Sequence, residues 1–361
     1  MARVTLQTIA DRVGVSRMTV SNAFSRPDQL SSDLRDQILA AAQELGYVGP
    51  DPAARALARG TAGAVGVLLT DSLRYAFTDE VATGFLGAIV DELAPSGVAL
   101  TLLTSDERGE AVPARDVAVD GAVVYSCLPQ SNARDWLLRR HLPLVYVDQD
   151  PDPEIPSINV DDRGGARLAA THLVELGHRR IGVLTLAVAG TRVSLDDDAE
   201  SAAVPHPQRE RLLGTLEVLR GHGIEPAIEH AERHGDEEAQ AAAHLLLAGP
   251  ERPTGVLCFS DVLALGVIRA AHELGLEVPG DVSVVGFDDS PVAARNEPGI
   301  TTVRQDVAAK GRLAAVELTA AIERAREADA ADASAPPPAE IAHHVLPTEL
   351  VIRGTTAPPP I

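Results

Sequence analysis

Seven short apolar runs recur between residues 64 and 287 and restrict the fold of this chain more than any other feature. They are AVGVLL (64–69), VALTLLT (98–104), GAVVYS (121–126), LVYVD (144–148), IGVLTL (181–186), GVLCFS (255–260) and VSVVGF (282–287). Runs of this length without polar alternation are buried on both faces, as strands are in a parallel sheet. Helical spacing separates them. Phe85, Ile89 and Leu93 share a face within 84–93, HLVELG (172–177) closes another helix, and Leu263, Val267, Ala270 and Leu274 line a third. Alternating strands and helices predict parallel sheets flanked by helices. There are too many units for one compact sheet, so two α/β lobes are expected.

Ligands of open parallel sheets sit beyond the carboxyl ends of the strands. Those ends carry Thr70 and Asp71, Ser126, Asp148, Ser260 and Asp261, then Asp288 and Asp289. Short polar residues recurring at one topological point predict a cleft between the lobes. Residues 187–208 have no clear period and read as a long surface loop over its mouth. Asp196, Asp197 and Asp198 in that loop lack the alternating spacing and fixed glycine of a calcium site. Residues 325–339 read as a flexible acidic, proline-rich insertion, and 341–354 return to strand-like texture. His343 and His344 should face opposite ways on that strand, so no paired metal site is expected.

The first 46 residues have a different texture. Leu6, Ile9, Ala10 and Val13 are spaced three and four apart and line one face of a short helix. Thr5 can cap its start, and Gly14 can end it in the left-handed conformation. Ser16 can cap a second helix, 17–24, with Val20, Ala23 and Phe24 facing inward. Two short helices joined by a glycine-containing turn form a helix-turn-helix. Arg17, Met18, Thr19, Ser21 and Asn22 lie outside the apolar stripe of the second helix. Leu34, Ile38, Ala41, Ala42 and Leu45 predict a third helix, capped by Ser31 or Ser32 and stopped by Gly46. A small domain with a polar second helix suits a reader of the DNA major groove. In 47–60, Pro50 and Pro52 interrupt the chain before a run of good helix formers. That segment is either a frayed linker or a helix that forms when something packs on it. With Leu57 between Arg55 and Arg59, it suits a minor-groove wedge.

The net charge of -21 would seem to exclude nucleic acid. Yet residues 1–60 hold seven arginines against six acids, a net of +1, which leaves -22 for the remainder. A neutral-to-basic head can touch phosphates while the acidic body is held away. No run of 18 apolar residues and no signal-peptide pattern occurs, so a membrane span or export is not expected. Cys127 and Cys258 each lie inside an apolar run and read as buried small hydrophobes, which points to the cytoplasm. The glycine-rich nucleotide fingerprints, GxSxG and HExxH are all missing. Lys310 is the only lysine, which removes most lysine-dependent catalysis. No enzyme activity, metal or cofactor is expected.

Several stretches closely resemble the lactose-repressor (LacI/GalR) family of bacterial transcriptional regulators. They are VTLQTIADRVGVSRMTVSNAF (4–24), LGYVGPDPAARALARG (45–60), LVELGHRRIGVL (173–184), RLLGTLEVL (211–219), SDVLALGVIRAAHELGLEVPGDVSVVGFDD (260–289), TTVRQD (301–306) and LPTELVIRG (346–354). The resemblance implies a small all-α helix-turn-helix head (1–46) and a hinge helix (47–60). These precede a two-lobed α/β body (61–354) like type I periplasmic binding proteins, and a flexible tail (355–361). Lobe one would comprise 61–160 with 291–323, and lobe two 161–290 with 324–354. The implied function is a repressor that binds a palindromic operator in double-stranded DNA as a homodimer, possibly a tetramer, under control of a small polar effector, most simply a sugar. An activator or dual regulator, or a cytoplasmic solute-binding protein, are the alternatives.

By the same resemblance Arg17, Met18 and Asn22 read bases, although Asn22 stands where the family very often has arginine. Thr5, Ser16, Thr19 and Ser21 match phosphate-contacting positions, and Leu57, with Arg55 and Ala54, the minor-groove hinge. Asp148, Arg211 and Asp288 match effector-holding positions, with Ser260 in place of a frequent asparagine. Asp71, Tyr75, Phe77 and Ser126 complete the expected effector site. For Arg211, a purely structural salt bridge is the alternative reading.

Overall fold

The computed structural model describes residues 4–49, 56, 60–69, 74–104, 112–126, 131–187, 204–232, 235–330 and 341–360. The chain separates into two compact units, Met1–Gly63 and Ala64–Ile361.

The first unit holds three helices, α1 (Leu6–Val13), α2 (Arg17–Ser25) and α3 (Ser32–Glu44), with a 3-10 turn at Pro27–Gln29 between the last two. Its core is small: Ile9, Ala10, Val20, Ala23, Ile38, Ala41 and Ala42 are buried, with Leu6, Val13, Phe24, Leu34 and Leu45 packed around them. Gly14, at φ 80, turns the chain between α1 and α2, a conformation a side chain would resist. Phe24 meets Tyr47 edge-on at 5.6 Å. The three helices and their apolar stripes are as the sequence predicts.

The second unit contains two six-stranded sheets. In chain order its elements are β1 (Ala64–Leu69), α4 (Tyr75–Thr78), α5 (Glu80–Leu93), β2 (Ala99–Thr104), α6 (Pro113–Asp116), β3 (Ala122–Tyr125), α7 (Asn132–Arg139), β4 (Leu144–Val147) and β5 (Ser157–Val160). The chain continues through α8 (Asp162–Glu175), β6 (Ile181–Leu186), α9 (His206–Gly221), β7 (Ala227–Ala231), α10 (Asp236–Leu247), β8 (Gly255–Cys258) and α11 (Asp261–Glu273). It ends with β9 (Ser283–Asp288), α12 (Pro291–Arg295), β10 (Thr301–Gln305), α13 (Val307–Ala330), β11 (His343–Leu346) and β12 (Thr348–Val351). One sheet runs β11-β5-β4-β3-β1-β2 and the other β12-β10-β9-β8-β6-β7. The first is parallel throughout. The second is parallel except at its edge, where β12 runs antiparallel to β10.

Sheet membership corrects the expected lobe boundaries. Residues 291–305 do not belong to lobe one: β10 pairs with β9, and Ile300 and Val303 are buried in the core of the second lobe. α13 crosses back, burying Ala314, Ala315, Leu318 and Ile322 in the first core. β11 pairs with β5 and stays in lobe one, so only β12 and the residues after it return to lobe two. The chain therefore passes between lobes after β5, after β10 and after β11. The apolar content of β10 alone could not reveal this, because TTVRQ buries threonines and a glutamine.

Two further expectations are corrected. Residues 325–330 are the last turns of α13 rather than part of a loose insertion. The start of the tail is anchored, not flexible. Thr355 is fully buried and donates to the Val284 carbonyl at 2.7 Å, and its own carbonyl accepts from Val284 N–H at 2.8 Å. Ala357 N–H donates to Ser283 Oγ at 3.0 Å. Backbone groups of a buried strand need partners, and these two residues supply them. Most of the 187–208 loop, the Asp196–Asp198 triplet and 331–339 lie outside the described residues. Among those described, no helix is long and apolar enough to cross a membrane, and no group of three or more His, Cys, Asp or Glu could hold a metal. Cys258 is buried with a free thiol, and Cys127 lies outside the described residues.

Candidate nucleic-acid interface and ligand cleft

The head presents α2 through its caps. Ser16 Oγ accepts from Thr19 N–H at 3.0 Å, and the two hydroxyls lie 2.8 Å apart. Thr5 and Thr8 form a reciprocal capping box at the start of α1. These bonds satisfy amides that a helix start leaves without partners, and so fix the direction in which α2 projects. Arg17 and Met18 follow immediately and stand in solvent, Met18 at 69% exposure. A thioether that exposed on a helix held by only seven core residues costs apolar hydration and contributes nothing to the fold. Asn22 departs from the expected pattern: its amide donates to Gln29 Oε1 at 3.2 Å, which ties it to the 3-10 turn. Ser21 is half-buried, and its carbonyl accepts from Ser25 Oγ at 2.9 Å. Ala54, Arg55 and Leu57 lie outside the described residues.

In the body, the strand ends that the sequence marks as polar are also places of unusual backbone. Ser126, Asp148, Asp288 and Asp289 all have positive φ, at 48°, 54°, 112° and 53°. Non-glycine residues seldom adopt this region, and such outliers cluster where function fixes them. Asp148 and Asp288 are joined by a chain of buried polar groups. Lys310 Nζ on α13 donates to Asp148 Oδ2 at 2.7 Å and to Gln305 Oε1 at 2.8 Å. Gln305 Nε2 donates to Asp288 Oδ1 at 2.6 Å. The Arg211 guanidinium lies 3.6 Å from Asp288 Oδ1 and 3.6 Å from the centroid of Phe287, while its Nε donates to Asp162 Oδ1 at 2.7 Å. The chain thus spans both lobes, from β4 and α13 in one to β9, α8 and α9 in the other.

Burial dominates the ionisation of this chain. It raises the Asp162 carboxyl above its ordinary value although Arg211 pulls it down, and it holds Asp288 well above its ordinary value against the same cation. Burial also works against the charge of Arg211, but Asp162 and Asp288 more than offset it, so the guanidinium stays firmly protonated. Asp148 Oδ1 and Asp162 Oδ2 are buried acceptors without a hydrogen-bond partner among the described residues, and Gln149 Nε2 is a donor in the same position. Unpaired buried oxygens of this kind are uncommon in a native fold, and each calls for an explanation such as strain, a functional role or a bound water or ion. Two ion pairs also cross between lobes at the rim. Glu80 of α5 accepts from Arg295 and from Val292 N–H, and Asp150 accepts from His206 and Arg209 of α9.

Of the effector residues expected from sequence, the structure brings Asp148, Arg211 and Asp288 into this one chain. Ser126 stands at the end of β3, beside β4 in the sheet. Ser260 caps α11 through Leu263 N–H at 3.2 Å. Phe77 is described and exposed, whereas Asp71 and the Tyr75 side chain lie outside the described residues. Arg211 does make the salt bridge of the alternative reading, with Asp162 as its partner. Sequence reasoning missed Asp162, Gln305 and, above all, Lys310. The sole lysine does open the stripe Lys310, Gly311, Ala314, Ala315, Leu318, Ile322 that α13 buries, which marks it as buried but does not name its partner.

Comparison with known proteins identifies the two units. Residues 5–49 match the model for bacterial regulatory proteins of the lacI family, and residues 170–356 match the periplasmic binding protein-like domain. The HTH-type transcriptional regulator Rv3575c of Mycobacterium tuberculosis is 38% identical, over 99% of this chain and 98% of its own length. The lac repressor dimer bound to operator and the anti-inducer ONPF superposes with a TM-score of 0.75 at 25% identity, over 99% of this chain and all of the other. The transcriptional regulator CelR in complex with cellobiose gives 0.66 at 25% identity, over 98% of this chain and all of the other.

Proposed function

Since the chain belongs to the lacI family of bacterial regulatory proteins and is a sequence-specific DNA-binding transcriptional regulator, we propose that it is a repressor. As a homodimer, it reads a palindromic operator with two heads and responds to a small sugar-like effector held between the lobes. The observation that carries the effector half is the buried, unpartnered Asp148 Oδ1 on a chain of polar groups that crosses the cleft. The exposed Arg17 and Met18 on a capped helix carry the DNA half. Arg17 can donate two hydrogen bonds to one guanine, Met18 can meet a thymine methyl, and Thr5, Ser16, Thr19 and Ser21 supply hydroxyls to phosphates. Leu57, flanked by Ala54 and Arg55, is the hinge wedge of this reading. The operator-bound lac repressor dimer and the cellobiose complex of CelR support the two halves.

An effector changes operator affinity only by the free energy with which it prefers one lobe arrangement. The Glu80–Arg295 and Asp150–Arg209 pairs are contacts that such a preference can make or break. Selection of bound duplexes from a random pool tests the DNA half. The expected result is a palindrome whose preference at one base pair per half-site relaxes by about 1–3 kcal/mol in Arg17→Ala. A selected motif unchanged by that substitution would refute base reading by Arg17. Leu57→Ala should weaken operator binding more than binding to random duplex; equal losses would remove the hinge from the reading.

A further inference from the structure

Two cations buried beside a cleft suggest at first a receptor for an anion such as a sugar phosphate. The bonding contradicts this. Lys310 is 1% exposed, and its ammonium is already held by Asp148 Oδ2 and Gln305 Oε1. Arg211 is held by Asp162, by Asp288 and by the Phe259 carbonyl. Along this chain three carboxyl groups face two cations, so each cation already has an acidic partner. On this chain and at its neighbour Gln149, the buried atoms without partners are two acceptors, Asp148 Oδ1 and Asp162 Oδ2, and one uncharged donor, the Gln149 amide. A phosphate brought here would replace its water with carboxylate oxygens, an arrangement that burial makes worse. A ligand rich in hydroxyl donors would satisfy the same oxygens.

We infer that Lys310 is a positioning residue that fixes Asp148 with one oxygen turned to the effector, and that the effector is therefore an uncharged, hydroxyl-rich polyol rather than a phosphorylated one. A carboxylate gripped at Oδ2 cannot rotate to hide Oδ1, so its orientation is set before the ligand arrives. Lys310 reaches across from α13 while Gln305 reaches from the last residue of β10, and the peptide between them is one of the crossings between lobes. The grip on Asp148 is made within lobe one, and the same ammonium is tied to lobe two through Gln305. This inference rests on the cleft reading proposed above and narrows it.

The test is calorimetric titration of the full-length protein with matched pairs: D-ribose and ribose 5-phosphate, D-glucose and glucose 6-phosphate, cellobiose and cellobiose 6-phosphate. Binding is expected within the neutral set, with the phosphorylated partner of any hit at least about 100-fold weaker. Lys310→Met should weaken the neutral hit by about tenfold or more, and Lys310→Arg should recover most of that loss. If the methionine variant does not fold, Lys310→Leu, which also removes the donor to Asp148, serves in its place. A folded Lys310→Met or Lys310→Leu protein that binds the polyol as tightly as the parent overturns the positioning role. A phosphorylated member that binds as well as its neutral partner, and loses affinity in Asp148→Asn, overturns the inference and leaves the cleft reading standing. Failure of every member of both sets to bind overturns both.

Discussion

In the head, the side chains offered to a ligand stand in solvent, and the bonds that aim them close over three residues: Ser16 to Thr19, Thr5 to Thr8. In the body the corresponding side chains are buried, and their bonds close over 17, 49 and 162 residues. The difference separates two ways of making a binding surface. A head of this size can only display what its helices project, so its specificity lies in local sequence and in caps. The body can place opposite charges in a poorly hydrated interior, where each holds the other, but only by folding distant segments together. Damage should follow the same division: a single change in the body should disturb a network, and one in the head a surface.

The largest effect expected from that contrast is at Arg211. Arg211→Met removes one partner of Asp162 and of Asp288 and leaves buried carboxylates without a cation, which typically costs about 3–5 kcal/mol. Trp136, the only tryptophan, lies in α7 of the body, so its fluorescence during urea unfolding follows this unit. A midpoint unchanged from the parent would show that the chain of charges is dispensable and break the comparison at its base.

The head supplies the next. Ile38 is fully buried, one of only seven core residues, and Ile38→Ala should cost roughly 2–5 kcal/mol. A three-helix unit of this size has little stability to lose. Operator binding should disappear while the Trp136 transition stays where it was. If both moved together, the two units would not be energetically separate.

These two sites also show what a sequence can disclose. The head was legible almost completely, because Thr5, Ser16, Gly14 and the spacing of Ile9, Val20 and Ile38 act within a few residues of themselves. The strands 64–69 and 181–186 were legible for the same reason, being continuously apolar. β5, β7 and β10 were not, since SINV, AIEHA and TTVRQ bury polar side chains that only tertiary partners satisfy. At the cleft, Asp148 and Asp288 could be anticipated from their position at strand ends, but Lys310 could not. Nothing near it in the chain says that a lysine on an apolar stripe will meet a carboxylate 162 positions away.

Acidity gives a smaller handle on the same contrast. Burial pushes the Asp261 carboxyl up to about 7, even though Thr302 and Ser290 donate to it, and it raises Asp162 and Asp288 as well. Each of these groups binds its proton more tightly folded than unfolded. Below the ordinary value of 3.8 both states are protonated and nothing is lost. As pH rises through about 4 towards 7, the unfolded chain gives up that proton first, and body stability falls by up to about 1.4 kcal/mol per pH unit for each such proton. The Trp136 urea midpoint should therefore be lower at pH 7 than at pH 5 on account of these carboxyls. Asp261→Asn should flatten the slope, and an unaltered slope would take Asp261 out of it.

The smallest effect separates the two roles of one hydroxyl. Ser16 Oγ caps α2 by accepting from Thr19 N–H, and in the proposed reading the same hydroxyl touches a phosphate. Ser16→Ala removes both, at a cost to head stability of about 1 kcal/mol, whereas Ser16→Gly is a tolerable cap and costs only a few tenths. If the serine serves the DNA only by holding α2 in place, the glycine variant should bind duplex nearly as the parent does. If the hydroxyl meets a phosphate, both variants should lose affinity alike, on operator and random duplex equally, because phosphate contacts carry no sequence. Titration of both duplexes with both variants decides between them, and the second outcome is the one expected here. Parent-like binding by Ser16→Gly would take Ser16 out of the phosphate contacts and leave it a cap alone.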